Sequence, residues 1–223
     1  MSTATTDIRV WDLPTRLFHW ALAASVLGAV VSVKTGAMDW HFRCGYAVFT
    51  LLAFRLLWGF VGGRWSRFGS FIFAPATVLR YLRGQPRPGE ALDVGHNPLG
   101  ALSVFAVLAI LAVQVGTGLV GDDEIANVGP LNRLVDSATG LAATAWHKTW
   151  GQWTILGLVG LHIAAIAFYS FRGQALVGAM VGGDKALPAD TPASADAPRQ
   201  RLLGLVLLLL CSAGVWAVVR SGG

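Results

Sequence analysis

Residues 141–171, LAATAWHKTWGQWTILGLVGLHIAAIAFYSF, make one long apolar segment that carries His147 near its start and His162 near its end. As a helix it separates the two by about 22 Å, most of a hydrocarbon core of roughly 30 Å. At about 100° per residue their azimuths differ by only about 60°, so both imidazoles point the same way, one near each membrane face. Ionisable groups inside a spanning segment are costly and suggest function, so each imidazole raises the question of what it binds.

The whole chain shares this character. Of 223 residues 54% are hydrophobic and 13% charged, too apolar for a soluble domain of this length, and mean hydropathy is +0.58. Nine Trp fit anchoring at membrane interfaces. The net charge of +5 is gathered between apolar segments, which suits membrane orientation and argues against nucleic-acid binding. Cys44 and Cys211 are isolated, with neither a CxxC pair nor a CxxCH attachment site, so any haem is held without covalent links and both Cys are packing residues. The leader MSTATTDIRVWDLPTR lacks an apolar core ending at a small-residue cleavage site, so no cleaved signal peptide is expected.

Working outward, Asp12 and Pro14 start a first apolar run, Leu17 to Val33, with His19 just inside it; Lys34, Thr35, Gly36 and Asp39 end it. A second span, Trp40 to Gly62, carries His41 in its first turn and Arg55 well inside. In the basic stretch Gly63 to Gly95, Pro75 to Arg83 closed by Gly84 reads as a short amphipathic surface helix. The third span is Pro98 to Val120, entered through His96-Asn97 and left at Asp122-Asp123-Glu124; a loop with a short apolar piece, Leu131 to Val135, precedes the fourth. Asp184 to Arg199, rich in Ala, Pro and Asp, reads as a flexible tether to a last span, Leu202 to Val219. The expected organisation is therefore a membrane domain over 1–180, a cytoplasmic linker over 181–201 and an added transmembrane helix over 202–223.

Arg64, Arg67, Arg80, Arg83 and Arg87 fill the loop after span two, and Arg172, Lys185, Arg199 and Arg201 follow span four. The positive-inside rule places both loops in the cytoplasm, with the N-terminus inside, in agreement with Arg9 and Arg16, and the C-terminus on the periplasmic side of a bacterial inner membrane. Threading this topology puts His41 and His147 near the outer face and His19 and His162 near the inner. Two bis-imidazole sites at different depths suit two low-spin b haems, since axial His on both sides of an iron favours electron transfer over oxygen chemistry. Small residues one turn beyond the ligands, Ala23, Gly45 and Gly151, with Ala165 serving for His162, leave room for a flat macrocycle. Structural histidines acting as polar anchors, and zinc, are the competing readings; zinc wants closely grouped Cys or carboxylate help that these spans lack.

Arg55 has no carboxylate in its own span, so it either meets a haem propionate or snorkels to the headgroups. His96 and Asn97 offer a donor and an acceptor for a quinone carbonyl; alternatively Asn97 and Pro98 merely start a helix beside a solvated His96. Gln114 has two readings, a hydrogen bond to a haem edge or to a neighbouring helix.

Taken together, VWDLPTRLFHW (residues 10–20), FRLLWG (54–59), GHNPLG (95–100), Thr117-Gly118-Leu119 with Asp122-Asp123, and the His147 to His162 pair resemble the bacterial cytochrome b561 family, which includes the cytochrome b subunits of membrane-bound nickel-iron hydrogenases. The resemblance covers about residues 8 to 180. It implies an all-α integral membrane fold, a four-helix bundle holding two b haems, ligated by His41 with His147 and by His19 with His162, with the fifth helix as an addition. It also implies electron transfer between an outer-face redox partner, a c-type cytochrome or hydrogenase-like subunit, and membrane quinone or menaquinone near the inner haem; the acidic residues from Asp122 to Asp136 are either a docking surface for that partner or simply solvated. The alternatives are a quinone-linked oxidoreductase acting alone on a small substrate such as superoxide, and a non-redox membrane scaffold.

Overall fold

The computed structural model describes residues 5–87, 90 and 92–222; residues 1–4, 88–89, 91 and 223, which fall within the expected 1–180 domain and the 202–223 span, lie outside the described residues. In chain order the elements are β1 (Thr5–Arg9), α1 (Leu13–Lys34), α2 (Met38–Val61), α3 (Pro75–Leu82), α4 (Pro98–Val120), α5 (Ser137–Trp146), a π-helical turn (His147–Gly151), α6 (Gln152–Phe171), α7 (Leu176–Gly182), β2 (Asp184–Pro188) and α8 (Pro198–Arg220). Five helical segments are long and apolar enough to cross a bilayer: α1, α2, α4, the composite Ser137–Phe171 and α8. The chain is thus a multi-pass helical membrane protein. Large apolar side chains such as Leu27, Phe60, Trp150, Phe171 and Leu210 stay exposed, as they do when lipid is the solvent.

Helix boundaries follow local chemistry. Asp12 caps α1 by accepting from the backbone N–H of Thr15 at 2.8 Å, and Gly36, at φ +73°, supplies the left-handed residue after its end. Asp136 caps α5 in the same way, accepting from Thr139 N at 2.8 Å. The expected surface helix is α3, with Pro at its start and Gly84 at φ +67° beyond its end.

Contacts group the described residues into two compact units, one drawn from 5–17, 55–87, 90, 92–106 and 161–205, the other from 18–54, 107–160 and 206–222. The first contains a two-stranded antiparallel sheet of β1 and β2, in the register Thr5 to Pro188 and Arg9 to Asp184, and a core of Val10, Trp11, Trp65, Val94 and Ala179. The core of the second is Val48, Leu52, Leu111 and Ile155, with Leu22, Val26, Val107 and Val159 packed against it.

Two features differ from the sequence reading. Asp184 to Arg199 was expected to be a flexible tether, but its start is strand β2 and its remainder is held. Ser194 Oγ donates to Val10 O at 2.7 Å, Trp65 Nε1 donates to Pro192 O at 2.8 Å, and the Asp196 carboxylate accepts from Leu13 N at 3.0 Å and from Arg201 at 3.1 Å. Val10, Trp65 and Leu13 lie more than a hundred residues away, so local composition carries no trace of them. The second difference is at His147–Gly151, where the backbone N–H of Gln152 reaches His147 O, an i+5 bond. The segment 141–171 is therefore not one uniform α-helix, and straight-helix spacing and azimuth do not carry through it.

Candidate functional site

In the second unit, the first turn of α2 and the π-turn bring His41 and His147 together, with ring centroids 6.0 Å apart and ring planes at 81°. Each ring is half-buried, and each has one nitrogen engaged. His41 Nδ1 lies 2.9 Å from Ala29 O; a carbonyl oxygen can only accept, so Nδ1 carries the proton and Nε2 the lone pair. His147 Nδ1 lies 3.2 Å from Thr117 Oγ1. Gly118 packs close to the same ring, since a Cβ there would stand 3.1 Å from His147 Cε1 and the imidazole would have to yield slightly. The backbone of the same histidine is held too, because Gln114 Nε2 donates to His147 O at 3.1 Å. Of the two readings of Gln114, the structure shows the bond to a neighbouring helix.

A donor set of two imidazoles fits haem b. Two imidazoles bonded to one metal from opposite sides at about 2 Å, with about 1 Å from nitrogen to ring centre, have centroids roughly 6 Å apart. The observed pair has that separation, and its Nδ1–H partners are the kind that fix the tautomer of a ligating imidazole. The expected cradle residues behave differently from one another. A Cβ at Gly45 would meet nothing within 4 Å, whereas one at Gly151 would collide with Gln114 Oε1 and the Trp146 ring. Gly151, expected to make room for a macrocycle, packs here against Gln114 and Trp146. His19, half-buried in the same unit, sets its ring edge-on to Trp20 at 5.0 Å, and Ala23 is exposed.

The first unit contains the other candidates. Arg55 is 3% exposed, its guanidinium 4.6 Å from the centre of the Phe68 ring and 5.9 Å from that of Phe71. Its Nη1 is buried and has no hydrogen-bond partner among the described residues. The snorkelling alternative does not describe this side chain. An orphaned guanidinium nitrogen fits a carboxylate such as a haem propionate. In the same unit, Asp12 is fully buried and accepts four hydrogen bonds, from Thr15 N at 2.8 Å and Trp58 Nε1 at 3.0 Å on Oδ1, and from Ser66 Oγ at 2.6 Å and Gly63 N at 3.1 Å on Oδ2.

His96 is not a solvated loop residue: its ring lies 4.7 Å from Trp11 and 4.6 Å from Phe71. Asn97 caps α4, its Oδ1 accepting from Gly100 N at 2.7 Å, and its Nδ2 donates to Tyr169 Oη at 3.2 Å. One N–H of the Asn97 amide remains beyond those bonds. His162 and Ala165, on α6, are exposed side chains of the first unit. The sequence does not single out Ala29, Phe71 or Tyr169 and gives Thr117 no role, although Thr117, Gly118 and Trp11 lie within the motifs that carry the family resemblance.

The chain matches the family described as prokaryotic cytochrome b561 over residues 10–183. Among its relatives, the probable Ni/Fe-hydrogenase B-type cytochrome subunit of Azotobacter chroococcum mcd 1 is 28% identical, covering 84% of this chain and 92% of its own length. The corresponding subunit of Cupriavidus necator is 29% identical over 78% of this chain and 85% of its own. The probable hydrogenase 1 subunit of Escherichia coli K12 is 25% identical over 69% and 80% respectively. Comparison with solved structures found no match.

Proposed function

We propose that this chain, which belongs to the prokaryotic cytochrome b561 family, carries electrons through the membrane between a hydrogenase-like subunit at the outer face and the quinone pool, by way of two b haems. The family implies haem b; when bound, it supplies a one-electron Fe(III)/Fe(II) couple. The observation that carries the reading is the His41–His147 pair, 6.0 Å between ring centres with each Nδ1 engaged by a partner on the protein. These two residues would hold the outer haem, each with its Nε2 left available by the partner on Nδ1. For a second haem, depth in the threaded topology and the family resemblance favour His19 and His162 as the candidate ligands. Arg55 directs its orphaned Nη1 to a propionate.

The chain's own residues shape the rest. A pair of imidazoles would hold each haem without leaving a position for oxygen or substrate, so the chemistry the group would supply is electron transfer. Arg64, Arg67, Arg80 and Arg83 hold the loop after α2 on the cytoplasmic side, which supports a quinone site at His96 and Asn97, where the spare N–H of Asn97 is a donor for a quinone carbonyl. The relatives' names supply the hydrogenase partner, and the acidic Asp122–Asp136 loop offers it a docking surface or one for a c-type cytochrome.

The test is a visible spectrum and haem assay of the detergent-purified protein, followed by hydrogen addition to membranes that contain the chain and its co-purifying redox partner. Reduced b-type bands, two haems per chain and haem reduction by hydrogen are expected. Absence of b-type bands refutes the haem reading, and reduction by superoxide without any partner refutes the conduit.

A further inference from the structure

The two outer-site histidines are supported in unequal ways. The proton on His41 Nδ1 goes to Ala29 O, a backbone group that no substitution removes. His147 Nδ1 faces a side chain instead, Thr117 Oγ1 at 3.2 Å. Thr117 Oγ1 also lies 2.9 Å from Val113 O and 3.0 Å from Gln114 O, one turn back on α4. Both are carbonyl oxygens and can only accept, and both are closer than the imidazole. The hydroxyl proton is therefore directed into the helix backbone, and an oxygen lone pair is presented to His147 Nδ1–H. Gln114, three residues earlier on α4, grips the backbone of the same histidine through His147 O. One stretch of α4 thus holds both the main chain and the ring of His147.

We propose that Thr117 is a positioning residue that sets the donor strength of His147: by accepting the Nδ1–H hydrogen bond it raises the basicity of Nε2, favours Fe(III) and lowers the reduction potential of the haem held by His41 and His147. The proposal rests on the reading of His147 as a haem ligand. An acceptor on the far nitrogen of a ligating imidazole fixes its tautomer and raises its basicity, and losing such a partner commonly changes metal binding by 10- to 100-fold.

The experiment is a spectroscopic redox titration of the purified cytochrome carrying Thr117→Val, which keeps volume and loses the acceptor, and Thr117→Ser, which keeps the hydroxyl. In Thr117→Val one of the two couples moves upward by a several-fold to tenfold change in the Fe(III)/Fe(II) equilibrium, about 59 mV per tenfold for one electron. The other couple stays in place, and Thr117→Ser restores the wild-type value. Unmoved couples in Thr117→Val, equal movement of both couples, or the same loss of haem in the Val and Ser variants each overturn the proposal. His147→Ala separates this from the reading beneath it: if that variant keeps its full haem content, the ligand assignment has failed, whereas loss of one haem with an unmoved Thr117→Val couple condemns only the tuning role.

Discussion

Replacing Asp12 with Asn removes a charge and one acceptor from a site that has no exposure, so its cost can be worked out from the four hydrogen bonds. Oδ1 serves Thr15 N and Trp58 Nε1, and Oδ2 serves Ser66 Oγ and Gly63 N, all between 2.6 and 3.1 Å. An amide has one acceptor oxygen, so whichever way it is placed, its NH2 confronts two former donors. A buried donor left unsatisfied costs about 1–3 kcal/mol, giving about 2–5 kcal/mol for the pair, with Ser66 able to recover part by turning. For a chain of this size that corresponds to a fall of roughly 5–15 °C in Tm. Asp12→Ala adds the loss of the α1 cap and of the Trp58 partner and falls further. Thermal unfolding in detergent, followed by circular dichroism, reads both. If Asp12→Asn melts within about 2 °C of wild type while Asp12→Ala loses only about 1 kcal/mol, Asp12 is merely a helix cap and the reasoning from the buried network is wrong.

Other expectations are as direct. His41→Ala and His147→Ala each lose one of two haems in a pyridine haemochrome assay and keep the other; unchanged stoichiometry in either counts against the outer pair. Gly118→Ala places a Cβ 3.1 Å from His147 Cε1, so it displaces the ring and alters the outer-haem spectrum while leaving the inner haem bound. Gly183 closes α7 at φ +99°, where a Cβ would meet Trp11 O at 2.7 Å and Arg9; Gly183→Ala destabilises by about 1–3 kcal/mol, read as a lower Tm. At Asp196 burial raises the carboxyl pKa, but hydrogen bonds from Arg201 and Leu13 N and the charges of Arg201 and Arg9 outweigh it and hold the group below its ordinary value. A depressed folded value means the stabilisation is present above the unfolded pKa of about 3.9 and is lost as pH falls through the folded one. Asp196→Asn should therefore flatten the acid limb of a stability–pH curve and leave the neutral-to-alkaline limb parallel to wild type.

The membrane class of the protein and the five segments long enough to cross are legible in residue order alone, because span length and apolarity are set locally by the thickness of the bilayer. The cap at Asp12 and the helix Pro75–Leu82 are legible in the same way. Residue order also singles out His41 and His147 through topology alone, since an imidazole inside a span is conspicuous. Relations between residues far apart in the chain emerge only from the fold. The pairing of Thr5–Arg9 with Asp184–Pro188 joins strands with no alternating apolar pattern, and an Ala- and Pro-rich segment reads as a tether until Val10, Leu13 and Trp65 are seen to hold it. The π-turn at His147 has no local signature either; it coincides with Gln114 from another helix bonding the same carbonyl. Gly151 shows the limit most clearly: a glycine one turn from a histidine looks like space for a ligand, and only the position of Gln114 and Trp146 reveals that protein atoms occupy it. Periodicity and length report how each segment meets lipid, whereas which side chain meets which depends on packing between segments, a property no single window of sequence contains.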